Sequence, residues 1–248
     1  MLSELSLLLD QVPSTASTTD YGTAVLGANV LLKRTVSNRQ KTFRFLRELY
    51  ALDPSDPVFS VMRFLWEAEP AAHTRALLAL LAAAFSDELL RSTADTILAA
   101  SPGDRLGKES LSARLGDAYP GRFGEKSLEK IGRNIASSWT QSGHLVGHID
   151  KHRALVEPST TTTVFATFLG WLQGHRGLLL FTTPWAQLLD ANESVLDSHL
   201  FAASQRGWVT YKRMNDVVEI SFNELFALAT WEPRTTADAT TAAGRGSR

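Results

Sequence analysis

The chain has 248 residues, 44% hydrophobic and 21% charged, enough to bury a core as one large domain or as two to three small ones. A formal net charge of −1 excludes a uniformly basic nucleic-acid coat, so any site for a polyanion must come from local segregation of charge. Cysteine is absent, which excludes disulfides and thiolate metal sites and fits a reducing cytoplasm.

Met1 to Asp10 is apolar but short, lacks a basic leading region and carries Glu4 and Asp10, so it does not read as a secretory signal. With the Ser/Thr stretch from Ser14 to Thr19 it is expected to form a flexible leader over residues 1–20. Residues 21–52 read as helical, with Phe43, Leu46, Leu49 and Tyr50 at three-to-four spacing. Asp56 is placed to cap the next helix and Pro57 suits its first position. Val58, Val61, Met62 and Leu65 form that helix's apolar stripe, and Glu69-Pro70 stops it. Two further helices are predicted over 71–85 and 87–100. The longest apolar run, Ala76 to Phe85, is ten residues, about half of the ~20 that span a bilayer, so it predicts a buried helix and no membrane association. Ser101-Pro102-Gly103-Asp104 then closes a helical domain assigned to 21–104.

Beyond this break, Lys108 to Asp117 predicts a short helix with Leu111 and Leu115 inward, and Tyr119-Pro120-Gly121 a turn. Ser127 to Ser142 predicts a longer helix with Leu128, Ile131, Ile135 and Trp139 on one face, ended by Gly143. Two β-like runs follow, 144–149 and 152–157, joined at Asp150-Lys151. Helix, turn, helix, hairpin is the order of a winged helix, a helix-turn-helix variant whose hairpin forms the wing, and it is assigned to 105–158. A similar order recurs over 159–232 without sequence identity to the first unit. There a linking helix (163–172) and a short strand (178–181) precede a helix opened by Thr183-Pro184 and another capped by Asn192. A hairpin turning at Met214-Asn215-Asp216 and a Ser221/Glu224 capping box complete it. The Thr-, Ala-, Gly- and Arg-rich end, 233–248, is expected to be disordered. The fold class is therefore mainly α: a helical N-terminal domain followed by winged-helix units.

Two segments carry the functional signal. Lys33, Arg34, Arg39, Lys41, Arg44 and Arg47 place six positive charges in fifteen residues with no acid among them. Such a cluster displaces counterions from a phosphate backbone and gives salt-dependent, largely sequence-independent affinity. Asn38, Gln40 and Thr42 add neutral donors for phosphate oxygens. The alternative is a solvated helix face paired with acids elsewhere. On the predicted 127–142 helix, Lys126, Lys130, Arg133 and Ser137 share the face opposite the apolar stripe, with Asn134 beside them and Arg122 just ahead. That face suits the major groove, Arg toward guanine and Asn toward adenine. Glu125 and Glu129 dilute it and leave a protein-docking role open.

His144, His148 and His152 are four apart, but Gly143 and Gly147 disfavour the helix that would align them as metal ligands. Contacts of these histidines to phosphate or solvent are the preferred reading over a zinc site. Trp139, Trp171, Trp185 and Trp208 read mostly as core. Gly107-Lys108-Glu109-Ser110 lacks the upstream glycine of a phosphate-binding loop, and no nucleophile elbow or zinc-protease motif occurs. No catalytic residue, metal or cofactor is expected.

Asn29-Val30-Leu31-Leu32-Lys33-Arg34, followed by Arg39 and by Phe43-x-x-x-Arg47-x-Leu49, resembles the N-terminal signature of the BrxA family, small proteins encoded in BREX anti-phage systems. The resemblance continues to Ser127-Leu128-Glu129-Lys130-Ile131-Gly132-Arg133-Asn134 and Gly143-His144-Leu145, so it spans about residues 20–150. It departs where Val36, Ser37 and Asn38 dilute the basic stretch, and it does not extend past Pro158. The resemblance implies a non-enzymatic, cytoplasmic, DNA-binding accessory protein of phage defence. Its partners would be double-stranded DNA and other subunits of the system. It matches Lys33, Arg34, Arg39, Arg47, Lys130, Arg133 and Asn134 to patterned positions. The competing expectation is a protein–protein adaptor that docks a methyltransferase or ATPase of the same system without binding DNA. A regulator of its own operon would need dimerisation, and no dimerisation heptad is present.

Overall fold

Leu5, Leu8 and Leu9 have the spacing that puts apolar side chains on one helix face. In the computed structural model, which describes residues 1–229, they are buried on α1 (Leu2–Gln11). The expected flexible leader over 1–20 is corrected accordingly. An apolar stripe of three leucines docks α1 into the core, and the Ser/Thr stretch supplies Ser17, which caps α2 (Thr18–Gly22) in a capping box with Asp20.

A π-helical turn at Thr23–Gly27 extends α2. The chain is then non-helical until α3 (Val36–Tyr50), where the Thr35 hydroxyl accepts from the Asn38 amide. Asn29 and Leu32, both at positive φ, interrupt what the sequence predicts as helical over 21–52. α4 (Pro57–Ala68) begins at the Asp56 cap and Pro57, as expected. It packs on α5 (Ala72–Ser86), the buried helix that the apolar run predicts. The single helix expected over 87–100 is instead two, α6 (Glu88–Arg91) and α7 (Ala94–Leu98). The break falls at Thr93, whose buried hydroxyl donates to the Leu90 carbonyl at 2.7 Å. That local bond competes with continued helix.

α8 (Lys108–Ala118) and α9 (Glu125–Gln141) pack closely together. Gly132 is required there, because a Cβ would stand 2.1 Å from Ser112 Oγ and 2.9 Å from the Lys108 carbonyl. The hairpin that follows is smaller than expected. β1 (Leu145–Val146) and β2 (His152–Arg153) pair antiparallel, Leu145 with Arg153 and Val146 with His152, and Arg105 bridges His152 on the far side. Gly147, at φ +103, turns the chain sharply against the Asp150 carbonyl and ends the first strand early.

α10 (Thr160–Leu172) starts from a Ser159 capping box, three residues before the predicted linking helix. It is buried along ten consecutive residues from Thr161 to Gly170 and contacts α4, α5, α11 (Pro184–Gln187) and α12 (Glu193–Gln205). The strand expected at 178–181 is a 3₁₀ helix, Gly177–Phe181. Three consecutive leucines carry no alternation that would separate the two forms. α12 begins at the predicted Asn192 cap. β3 (Thr210–Met214) pairs with β4 (Val217–Ser221) across Asn215, at φ +52. The capping box expected at Ser221/Glu224 does not form. α13 (Asn223–Leu228) has no side-chain cap, and Glu224 accepts instead from the Thr210 hydroxyl at 2.6 Å.

Over the described residues the protein is thus mainly α with two small antiparallel hairpins. Buried hydrophobics form one continuous cluster from Leu5 to Ala229, so the break at Ser101–Asp104 does not divide the core. Gly103, Asp104 and Leu106 bond to β2 and the residue before it, fastening the break to the hairpin. No helix among the described residues is long and apolar enough to cross a membrane. The tail expected to be disordered, 233–248, lies outside the described residues.

Candidate nucleic-acid interface

α3 buries Leu46 and Tyr50, packs Phe43 and Leu49 against the core, and turns Lys41, Arg44 and Arg47 outward. The six cations of the basic run, Lys33 and Arg34 ahead of α3 and four on it, divide into three groups. Lys33 is held by Glu4 at 3.0 Å, and its backbone is bracketed by the Asn29 side chain at 2.9 and 3.1 Å. Burial pushes the Glu4 carboxyl up, but the Lys33 bond and nearby positive charge hold it below its ordinary value. Arg39 donates to the Leu26 carbonyl at 3.0 Å. Lys33 and Arg39 therefore fasten the non-helical segment before α3. Arg44 lies 3.5 Å from Glu48 on the surface. The side chains of Arg34, Lys41 and Arg47 make neither an ion pair nor a hydrogen bond with any described residue, although Lys41 lies 5.9 Å over the Phe45 ring and Arg47 5.8 Å over Phe43.

On α9 the apolar stripe faces inward as predicted, and the Trp139 indole donates to the Thr93 hydroxyl at 3.0 Å. Lys126, Lys130, Arg133, Asn134 and Ser137 are all exposed. Glu129 dilutes this face. It accepts from Lys108 at 2.9 Å and lies 3.7 Å from Arg133, and these cations hold its carboxyl below the ordinary range. The side chains of Lys126 and Lys130 have no ion pair or hydrogen bond with a described residue. Arg122 lies 5.1 Å over Tyr119 and 5.2 Å over Phe123, with Glu88 4.0 Å away.

The two segments meet at one cleft of about 660 Å³. Phe45 and Glu48 of α3, alanines of α5, and Asn134, Ser137 and Gln141 of α9 line it, together with Arg122. On a 3.6-residue helix, Lys41 falls one turn from Phe45, and Lys130 one turn from Asn134. Of these cations Arg122 lines the cleft itself and Lys41 approaches it over the Phe45 ring, whereas Arg44 and Arg47 border a separate groove on α3 with Gln40, Phe43 and Asp56. Sequence reasoning missed Phe45. Its signal was an aromatic residue off the apolar stripe of α3, between Lys41 and Glu48 on the polar face.

The histidines behave differently from one another. His148 and His152 are exposed, and His152 Nδ1 lies 3.0 Å from the Gly103 carbonyl. The expectation that these histidines touch phosphate or solvent is corrected for His144, which is fully buried. Its Nε2 donates to the Leu188 carbonyl at 2.9 Å and its Nδ1 lies 2.8 Å from the Ser142 hydroxyl. Burial pushes the imidazole down to about 4, against the opposing pull of the Leu188 bond and of Asp190. Beside it the buried Arg153–Asp190 pair ties β2 to the turn after α11, and Asp190 also accepts from the Val156 amide at 3.0 Å. This pair was also missed, since its members lie 37 residues apart. No group of three or more His, Asp or Glu among the described residues is placed to hold a metal.

The second helix–hairpin unit has a different surface. α12 contains no lysine or arginine, and its Glu193 and Asp197 are paired with Arg213 at 2.6 and 3.0 Å. Phe201 is 60% exposed on the same helix. No family model matches the chain, and neither a curated protein nor a solved structure does.

Proposed function

We propose that this chain is a non-enzymatic, DNA-binding accessory protein of a BREX-type phage-defence system, holding duplex DNA mainly through phosphates. In this reading residues 105–158 act as a winged helix with α9 as the recognition helix, and the protein works in the cytoplasm. The observation that carries the reading is the set of Arg34, Lys41, Arg47, Lys126 and Lys130. In a chain of nearly balanced charge the side chains of these cations have no carboxylate or hydrogen-bond partner among the described residues. Cations without a side-chain partner on the exposed faces of α3 and α9, and just ahead of α3, are what phosphate contacts require. Placement in a defence system rests on the resemblance at Asn29–Arg47 and Ser127–Asn134.

Two observations support the adaptor reading. Glu129 partly neutralises the α9 face, and α12 offers exposed Phe201 without any cation. Charge reversal separates the two. Arg34→Glu with Arg47→Glu, and separately Lys126→Glu with Lys130→Glu, should each weaken duplex binding by tenfold or more, equally for unrelated sequences. Folded variants that bind as the parent does would remove the assignment and favour the adaptor.

A further inference from the structure

The cleft between α3 and α9 has chemistry that phosphate contacts leave unused. Phe45 is half-buried, yet it is not among the described hydrophobics that pack against the core. Instead it lines the cleft with the side chains of Lys41 and Arg44 over its ring, at 5.9 and 5.1 Å. Facing the same space from α9, Asn134 has an exposed carboxamide with no hydrogen-bond partner among the described residues. Gln141 spends only its Nε2, on Ser137 at 3.1 Å. An aromatic face, the free Asn134 carboxamide and Gln141 carbonyl, and an apolar floor of α5 alanines, in a volume within the roughly 300–1,000 Å³ range of ligand sites, fit a flat, neutral heterocycle with polar edges.

The charge distribution decides where each part of a nucleotide would sit. Glu48, Asp87 and Glu88 also line the cleft, and they would repel a phosphate inside it. Each is already engaged: Glu48 with Arg44, Glu88 with Arg122, and Asp87 with the Leu89 and Leu90 amides. A neutral base meets no such penalty, and carboxylates accept from exocyclic amino groups. Lys41, one turn from Phe45 and unpaired, stands at the rim, where a backbone phosphate would be.

We propose that this cleft receives one unpaired nucleobase of a DNA strand, stacked on Phe45 and read at its edge by Asn134, while Lys41 holds the adjoining phosphate outside. This rests on the DNA-binding reading above, and it extends that reading from intact duplex to single-stranded or distorted DNA. A base is cheapest to insert where it is already unpaired, so single strands and mismatched duplexes bind more tightly than perfect duplex.

The test uses the full chain with a single-stranded oligonucleotide carrying one 2-aminopurine, and in parallel a perfect duplex read by anisotropy. Stacking on Phe45 should change the 2-aminopurine fluorescence. Phe45→Ala should abolish that change and weaken single-strand binding about tenfold while leaving duplex affinity within about twofold. Phe45→Trp should restore both. Because Phe45 is outside the core, the alanine variant is expected to fold, and circular dichroism checks this. Duplex binding by the parent without a fluorescence response, and with no effect of Phe45→Ala on single strands, overturns the inference alone; that is the result a protein-docking groove would give. No binding to DNA of either form overturns the inference together with the functional reading beneath it.

Discussion

At the scale of single residues, the same side-chain types take opposite roles according to what lies within about 4 Å. Lys33 and Arg39 belong to the same basic run as Lys41 and Arg47, yet the first two fasten the chain and the last two are unpaired. Sequence gave the run but not this division, because Glu4 lies 29 positions from Lys33 and nothing local marks it as a partner. His144 is a comparable case: four-residue spacing suggested a set of three, and burial removes one. Its depressed pKa has a consequence for stability. A histidine that stays neutral in the fold down to about 4 but protonates near 6.5 when unfolded gives the unfolded state more bound protons between those values. Stability therefore falls as pH drops from about 6.5 to 4, and is fully present above that window. Denaturant unfolding across this range should show the loss, with a shallower slope in His144→Gln. His199, also lowered by burial, supplies part of what remains. Identical slopes would show that His144 does not titrate as described.

At the scale of elements, what the sequence made legible is what local pattern controls. The Asp56-Pro57 start of α4, the Asn192 cap of α12 and the inward stripe of α9 all follow from residues within four positions of each other. The misread elements are those that tertiary contacts decide. α1 is ordered by burial against the core, the 87–100 helix is interrupted at Thr93 where Trp139 docks, and 177–181 is a 3₁₀ helix over which Leu180 and Phe181 are buried. The α8–α9 pair gives a test with two signs. Gly132→Ala pushes a methyl into Ser112 and the Lys108 carbonyl and should destabilise the protein by about 1–3 kcal/mol. Gly116→Ala, on the facing helix, meets only Leu128 at an ordinary 3.6 Å. It should be neutral or stabilising by up to about 1 kcal/mol, because alanine is the better helix former. Urea midpoints of the two variants give both signs, and equal destabilisation would mean that α8 and α9 approach each other differently.

At the scale of the molecule, one core carries two helix–hairpin units with unlike surfaces. In the first, α9 exposes the unpaired Lys126 and Lys130 and shares a cleft with α3; in the second, α12 contains no lysine or arginine. A net charge of −1 conceals this segregation, and the sequence exposed only its linear half, the run from Lys33 to Arg47. That α3 and α9 share a cleft depends on α5 and the Trp139–Thr93 contact, which no sequence periodicity encodes. The central claim is that these cations contact phosphates, and the most direct measurement is the salt dependence of binding to a labelled non-specific duplex. If Arg34, Lys41, Arg47, Lys126 and Lys130 each neutralise one phosphate, the log–log slope is about −4.5, and affinity falls roughly 500-fold between about 50 and 200 mM salt. A slope near zero, or no binding at the lowest salt, would contradict the claim.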